Sequence, residues 1–364
     1  MPENTLKEKT AKGLMWGTIS NGAQLVLGTL FGIFLARILS PSDYGMVGLL
    51  TVFSQIASVL QDSGFRTALA NRREIVHEDY NAVFWFNVGT SCVMYLLLFF
   101  LAPLITEFYQ HSDAAANQDL SELTPLARFS FLGFVIASLG TAHYAYLFRT
   151  LQVKQKAIIT VISLTTSSTI GLTMALKGYA YWGLATQGIA FTTCNTILFW
   201  YFSKWRPTLP VSFHPLKEMF GFSSKLLAND ICNNINGNIL SVMLGRFYAV
   251  HDVGLYNQAN KWTSMVSTMV LGTIKDVAQP VLRNVETERE RHKRVFRKML
   301  RFNAFMVFPA LFGLALISRE LILITVTEKW LDCVPSCRSC APVRSPYLYN
   351  IYVPTWSSPK SART

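Results

Sequence analysis

Asn229, Asp230, Asn233, Asn236 and Gly237 recur at intervals of three and four inside the otherwise apolar stretch Phe220–Phe247. Thr51, Ser54, Gln55, Ser58 and Asp62 do the same in Tyr44–Gly64, and so do Asn21, Gln24 and Gly28 in Leu14–Ala36. Asn257, Lys261, Ser264 and Thr268 form a fourth set in Gly254–Val281. On a helix each set lies along one face. Such a face is costly against lipid, so it turns to a bundle interior or a wet cavity, where it can hydrate, bind or pass a polar cargo. Hydrogen bonding between helices would produce the same pattern. The charges Asp62, Asp230 and Lys261 favour a central aqueous cavity. No catalytic set accompanies the stripes: there is no Walker A sequence, no H-E-x-x-H and no acid pair in a large outer loop. The chain reads as a non-enzyme with no cofactor and no bound metal.

The elements that must position these faces are membrane helices. Of the 364 residues 51% are hydrophobic and 15% charged, with a mean hydropathy of +0.29, whereas soluble chains carry about 25% charged residues. Leu14–Ala36, Ala82–Thr106, Pro125–Phe148, Ala157–Leu176 and Trp182–Phe202 are long and apolar, enough to cross a hydrocarbon core of about 30 Å. With the polar-striped Tyr44–Gly64, Phe220–Phe247 and Gly254–Val281, and with Phe302–Ile317, nine spans are expected. A weak tenth is expected near Leu321–Val326. Lys7, Lys9 and Lys12 precede an apolar run longer than a signal-peptide core, so the first run is read as a retained span.

Alternate loops are basic. One set holds Arg66, Arg72 and Arg73; then Arg149, Lys154 and Lys156; then Lys204, Arg206, Lys217 and Lys225; then eight cations between Arg283 and Arg301. The other set holds only Arg37, Lys177, Arg246 and Arg319. The positive-inside rule puts the N-terminus in the cytoplasm of a multi-pass protein. Cations facing an anionic leaflet account for much of the net charge of +12, and no nucleic-acid partner is implied. The segment Arg283–Arg301 reads as a basic amphipathic helix on the inner leaflet, joining the eighth and ninth spans.

Residues 35–45 read LARILSPSDYG and residues 244–254 read LGRFYAVHDVG. At this one ungapped offset Arg37 matches Arg246, Asp43 matches Asp252 and Gly45 matches Gly254. Asn21 also matches Asp230, Gly28 matches Gly237 and Arg66 matches Lys275. Six spans separate the copies, an even number, so both have the same orientation. A duplication gives two six-helix lobes related by a parallel repeat about the membrane normal, in an all-α polytopic protein; coincidence is the alternative.

The stretch KGLMWGTISNGAQLVLGTLFGIFLARILSPSDYGMVGLLTVF, with its LARxLxPxDYG loop and acid-bearing second helix, resembles the bacterial polysaccharide flippases. These are the O-antigen and exopolysaccharide translocases of the multidrug/oligosaccharidyl-lipid/polysaccharide (MOP) exporter superfamily, and the resemblance runs over about residues 10–330. It implies a bacterial inner-membrane transporter that moves undecaprenyl-diphosphate-linked oligosaccharide to the outer leaflet for lipopolysaccharide or polysaccharide synthesis. Its implied partners are the lipid-linked oligosaccharide, the bilayer, and a polysaccharide polymerase with glycosyltransferases. Such a cargo needs cations for its diphosphate. The candidates are Arg66, Lys275, Arg149 and Lys225 near the inner ends, Lys261 deeper, and Arg37 with Arg246 around the outer mouth. The inner four also sit where topological anchors would. Asp62 and Asp230 are candidates for ion coupling, although Asp62 could pair with Arg66, and Asp230 with Lys225 or Lys261. His143 reads as a satisfied bundle histidine. A cation-coupled multidrug antiporter of the same superfamily is the alternative and would favour acids in its cavity.

The expected organisation is a six-helix N-terminal lobe over 1–205, an incomplete C-terminal lobe of three to four helices over 206–330, and a non-helical tail over 331–364. Three of the six Cys and five of the fourteen Pro fall in that tail. Cys333-x3-Cys337-x2-Cys340 has the spacing of an iron–sulfur motif, but too little chain follows to build the enzyme that uses it. The tail is read as a departure from the family frame through a frameshift or truncated gene model, which would leave the second lobe incomplete, with a non-functional truncated product as an alternative to the transporter.

Overall fold

The structure, a computed structural model, describes residues 3–62, 65, 69, 75–110, 120–150, 152–209, 214–284 and 289–343. Among these, nine long helices follow one another: α1 (Glu3–Ile38), α2 (Pro41–Asp62), α3 (His77–Gln110), α4 (Leu123–Arg149), α5 (Val153–Leu176), α6 (Ala180–Phe202), α7 (His214–Phe247), α8 (Val250–Asn284) and α9 (Arg289–Thr325). A 3-10 turn (Glu328–Cys333) and a short helix, α10 (Val334–Val343), complete them. Six of the helices are long and apolar enough to cross a membrane by length and hydropathy alone. The polar-striped α7 and α8 are not among the six, since the Asn and Gln residues that could line a cavity also lower their hydropathy. The expected all-α membrane architecture is what the chain adopts.

Three expectations are corrected. Leu321–Val326 is no separate span; it closes α9, because Arg319 and Glu320 are both good helix formers and interrupt only the hydropathy. The basic residues from Arg289 onward continue into the ninth span without a break rather than forming their own surface helix. The tail is also helical as far as Val343. Pro335 stands in the first turn of α10, where its missing N–H removes no helical bond. Cys333, Cys337 and Cys340 then fall at i, i+4 and i+7 on one face, with Cys333 and Cys337 buried beside the fully buried Trp330. Their spacing is a helix face packed on α9; no metal-binding group of His, Cys, Asp or Glu occurs among the described residues. Residues 344–364 lie outside the described part.

By contacts the chain falls into two units, Met1–Gly254 and Leu255–Thr364, rather than dividing near residue 205. The first unit extends past α6 because α7 packs on α2 and α3. The connector between α6 and α7 is also fastened. The Asn81 amide donates to the Thr208 carbonyl at 2.8 Å, and the Thr208 N–H donates back to Asn81 Oδ1 at 3.0 Å. His77 meets the Thr208 hydroxyl at 2.8 Å and accepts from Trp205 Nε1 at 3.0 Å.

The core of the first unit runs through Leu49, Leu50, Tyr109, Leu123, Leu126 and Phe131. A second aromatic cluster holds Tyr80, Phe84 and Trp205. His143, fully buried, lies on this cluster and stacks on Trp200 with ring centroids 4.4 Å apart. Both of its ring nitrogens are buried without a hydrogen-bond partner among the described residues, so the expected satisfied histidine is not found; aromatic faces surround the ring instead. The second unit has its own smaller core of Val307 and Leu311, with Val266 packed against it.

Candidate functional site

The SPSD of the repeated phrase is a capping box. Asp43 accepts from the Ser40 N–H at 2.8 Å and the Ser40 hydroxyl at 2.7 Å, and the Asp43 N–H donates back to Ser40 Oγ at 3.2 Å. Pro41 occupies the first helical position, which suits its fixed φ. The second copy starts α8 without the serine: the Asp252 N–H donates to the Ala249 carbonyl at 2.9 Å.

The two helix starts touch reciprocally. A methyl group at Gly45 would overlap the Val250 carbonyl, and one at Gly254 would overlap the Pro41 carbonyl and come within 3.0 Å of the Gly45 nitrogen. Pro41 and Val250 occupy the same place in the two copies, as do Gly45 and Gly254. Only glycine permits this approach.

From this crossing α2 and α7 run together. Gly245 faces Leu49 and Tyr109, with the Tyr109 ring 2.8 Å from where a Cβ would stand. Farther along, Asn238 Nδ2 donates to Gln55 Oε1 at 2.7 Å. Beyond that tie the helices border a cavity of about 470 Å³. It is lined by Ser58, Gln61 and Asp62 of α2, Gly140, Thr141 and Tyr144 of α4, Thr160 of α5, Asn195, Thr196 and Phe199 of α6, and Asp230 of α7. All of these lie in the half of the bundle nearest the turn at 150–152 and the connector at 203–209.

The lining chemistry is hydroxyl, carboxamide and aromatic. Thr141, Thr160 and Thr192 bond to the carbonyl four residues back in their own helices, and Thr196 Oγ1 reaches across to the Ile136 carbonyl at 3.0 Å. These bonds fix the rotamers and leave oxygen lone pairs toward the space. Asn195 is half-buried with its carboxamide unengaged. Tyr144 and Phe199 meet edge to face with centroids 5.6 Å apart. Asp62 and Asp230 are the carboxylates of the lining, and no Lys or Arg is among its residues.

The sequence candidates are distributed as follows. Asp62 and Asp230, from stripes on different helices, come to one cavity. Arg149 is half-buried and donates to the Leu69 carbonyl at 3.4 Å. Arg37 is exposed at the end of α1. Arg246 lies over the Phe108 ring at 5.3 Å, at the opposite end of the bundle from the cavity. Lys261 belongs to α8 in the second unit. Lys225 and Lys275 are placed only as positions on α7 and α8, and Arg66 lies outside the described residues. The stripe of α1 does not line the cavity; α1 packs along α5, where Gln24 donates to Ser20 at 3.0 Å. The cavity residues of α4, α5 and α6 went unread because Thr and Asn scattered in apolar helices carry no periodic signal.

Known proteins give this architecture a lineage. A family model described as "Polysaccharide biosynthesis protein" matches residues 34–335. The chain is 29% identical over 339 residues to the lipopolysaccharide biosynthesis protein WzxC of Escherichia coli K12, across 91% of this chain and 66% of that one. It is 25% identical over 328 residues to the succinoglycan biosynthesis transport protein ExoT of Rhizobium meliloti 1021, across 90% of this chain and 64% of that one. It therefore spans just under two-thirds of the length of these relatives. In structure it is similar to the lipid II flippase MurJ in its inward closed conformation, with a TM-score of 0.71 at 14% identity, over 96% of this chain and 77% of that one. That likeness establishes a shared helical fold. Matched by the family model over most of its length, the chain belongs to the polysaccharide biosynthesis protein family.

Proposed function

We propose that this protein is a MOP-superfamily flippase that carries an oligosaccharide linked to an isoprenyl diphosphate from the cytoplasmic to the outer leaflet of a bacterial inner membrane. Family membership supports the pathway, and the name of the succinoglycan relative supports transport. The observation that carries the reading is the one-sided cavity. α2 and α7 are fastened from Leu49 to Gln55 and part around a space lined by Thr141, Tyr144, Asn195 and Phe199. Sugars offer many hydroxyls and apolar C–H faces. Side-chain oxygens and amides exchange hydrogen bonds with the first, and aromatic rings cover the second.

In this reading the chain works by alternating access, and the reciprocal glycine contact supports two lobes related by a parallel repeat. The N-terminus lies in the cytoplasm, so the cavity faces inward and the glycine crossing closes the outer side. Arg66, Arg149, Lys225 and Lys275 serve the diphosphate at the inner side, Lys261 along its passage, and Arg37 and Arg246 at the outer mouth. Asp62 and Asp230 couple transport to a cation. The polymerase and glycosyltransferases of the same glycan are its partners.

One observation favours a second reading, a cation-coupled multidrug antiporter: the formal charges lining the cavity are both negative. Proteoliposomes separate the two. A flippase makes a fluorescent isoprenyl-diphosphate glycan accessible to an external lectin and leaves ethidium unmoved. Ethidium transport without glycan translocation would replace the flippase by the antiporter.

A further inference from the structure

Lys156 lies in the first turn of α5 and was counted in the sequence only among the basic loop residues. Its ammonium lies 4.0 Å from the centre of the Tyr144 ring and 4.8 Å from that of Phe148, and these two rings stack with centroids 6.5 Å apart. Tyr144 is itself a wall of the cavity. One turn beyond Lys156, the Thr160 hydroxyl also lines it, held by the Lys156 carbonyl at 2.9 Å. The ammonium thus rests on a ring that also walls the cavity.

The neighbouring cations are placed differently. Lys154 points its ammonium at the Trp16 ring, 5.4 Å away. Arg206 is spent on the Ser203 and Trp205 carbonyls, at 2.5 and 2.7 Å. Arg149 reaches the Leu69 carbonyl. Among the described residues Lys156 has neither a carboxylate nor a carbonyl on its ammonium; its partners there are ring faces. A cation held by ring faces keeps its full charge and is bound weakly enough to be exchanged. A diphosphate, with several charged oxygens, competes well for a lysine ammonium on a flexible stem.

We propose that Lys156 joins the inner-side cations as the one that takes the substrate's diphosphate at the cavity rim itself, its ammonium parked on Tyr144 and Phe148 until the phosphates arrive. The glycan then lies along Tyr144, Asn195 and Phe199, one residue's width from the charge that anchors it. This inference rests on the flippase reading and adds to it a specific anion contact that the lining residues themselves lack.

The test is a binding measurement on the purified full chain in detergent, with farnesyl diphosphate and farnesol as probes. The wild type binds the diphosphate at least tenfold more tightly than the alcohol. Lys156→Gln loses that preference, Lys156→Arg retains it, and Lys154→Gln behaves as wild type, all four eluting as the same species on gel filtration. If Lys156→Gln keeps the tenfold preference, the assignment of Lys156 is overturned while the flippase reading stands. If the wild type shows no preference for the diphosphate, both fall. Inorganic pyrophosphate or phosphatidylglycerol competing as strongly as farnesyl diphosphate would mean a general anion site, and would also overturn the assignment.

Discussion

The Asn238 carboxamide donates to the Gln55 side chain at 2.7 Å and so ties the C-terminal part of α7 to α2. Asn238 also donates to the Asn234 carbonyl at 2.9 Å, which orients the amide before the partner is reached. In a membrane interior such a bond contributes about 0.6 kcal/mol on average and up to about 1.7. Gln55→Leu and Asn238→Leu should each lower thermal stability in detergent, and the double variant should lose less than the sum of the two. Strict additivity in that cycle would show that the two amides are not coupled.

Gly45→Ala and Gly254→Ala should destabilise by similar amounts, about 1–3 kcal/mol each, because each inserts a methyl group against the carbonyl of the equivalent residue in the other copy. Denaturant or thermal unfolding reads the effect. A neutral result at one glycine with a large one at the other would break the reciprocity. Gly28→Ala is the control, since nothing stands within 4 Å of its missing side chain.

If Asp62 and Asp230 couple transport to a cation, Asp62→Asn and Asp230→Asn should reduce gradient-driven glycan translocation by tenfold or more. Substrate binding without a gradient should change by less than threefold. Loss of binding in step with transport would make the carboxylates substrate contacts rather than coupling groups.

Asn81→Ala removes two bonds to the backbone of Thr208 and leaves a carbonyl and an N–H without that partner. A cost of about 1–3 kcal/mol follows. The connector at 203–209 should then be cut faster by a protease added from its own side of the membrane, while the cutting rate elsewhere is unchanged. Unaltered cleavage would mean that His77 and Trp205 hold the connector without Asn81.

The nine long helices were legible because the bilayer imposes length and hydropathy together, and the stripes on α2 and α7 were legible because helical period survives in the sequence. Asp62 and Asp230 could therefore be named in advance. Tyr144, Asn195 and Phe199 could not, since their shared wall is made by the packing of α4 against α6, with Gly140 seated on Thr196 and Phe199, and no local pattern records that contact. The Cys and Pro of residues 331–343 misled for the opposite reason. Their composition resembles a break, yet the cysteine spacing is helical and Pro335 falls in the first turn, where a helix tolerates it.

The close packing of Leu49 on Gly245 also sets a mechanical ratio. From Leu49 to Asp62 is thirteen residues of helix, about 20 Å at 1.5 Å per residue. A pivot of about 10° at that glycine would swing Asp62 through roughly 3 Å, while the residues at the fulcrum slide by a fraction of that. Small rearrangements where the helices are pinned are thus magnified where the cargo sits, as in a pair of tweezers, and the tie at Gln55, six residues from the fulcrum, has short leverage against the opening.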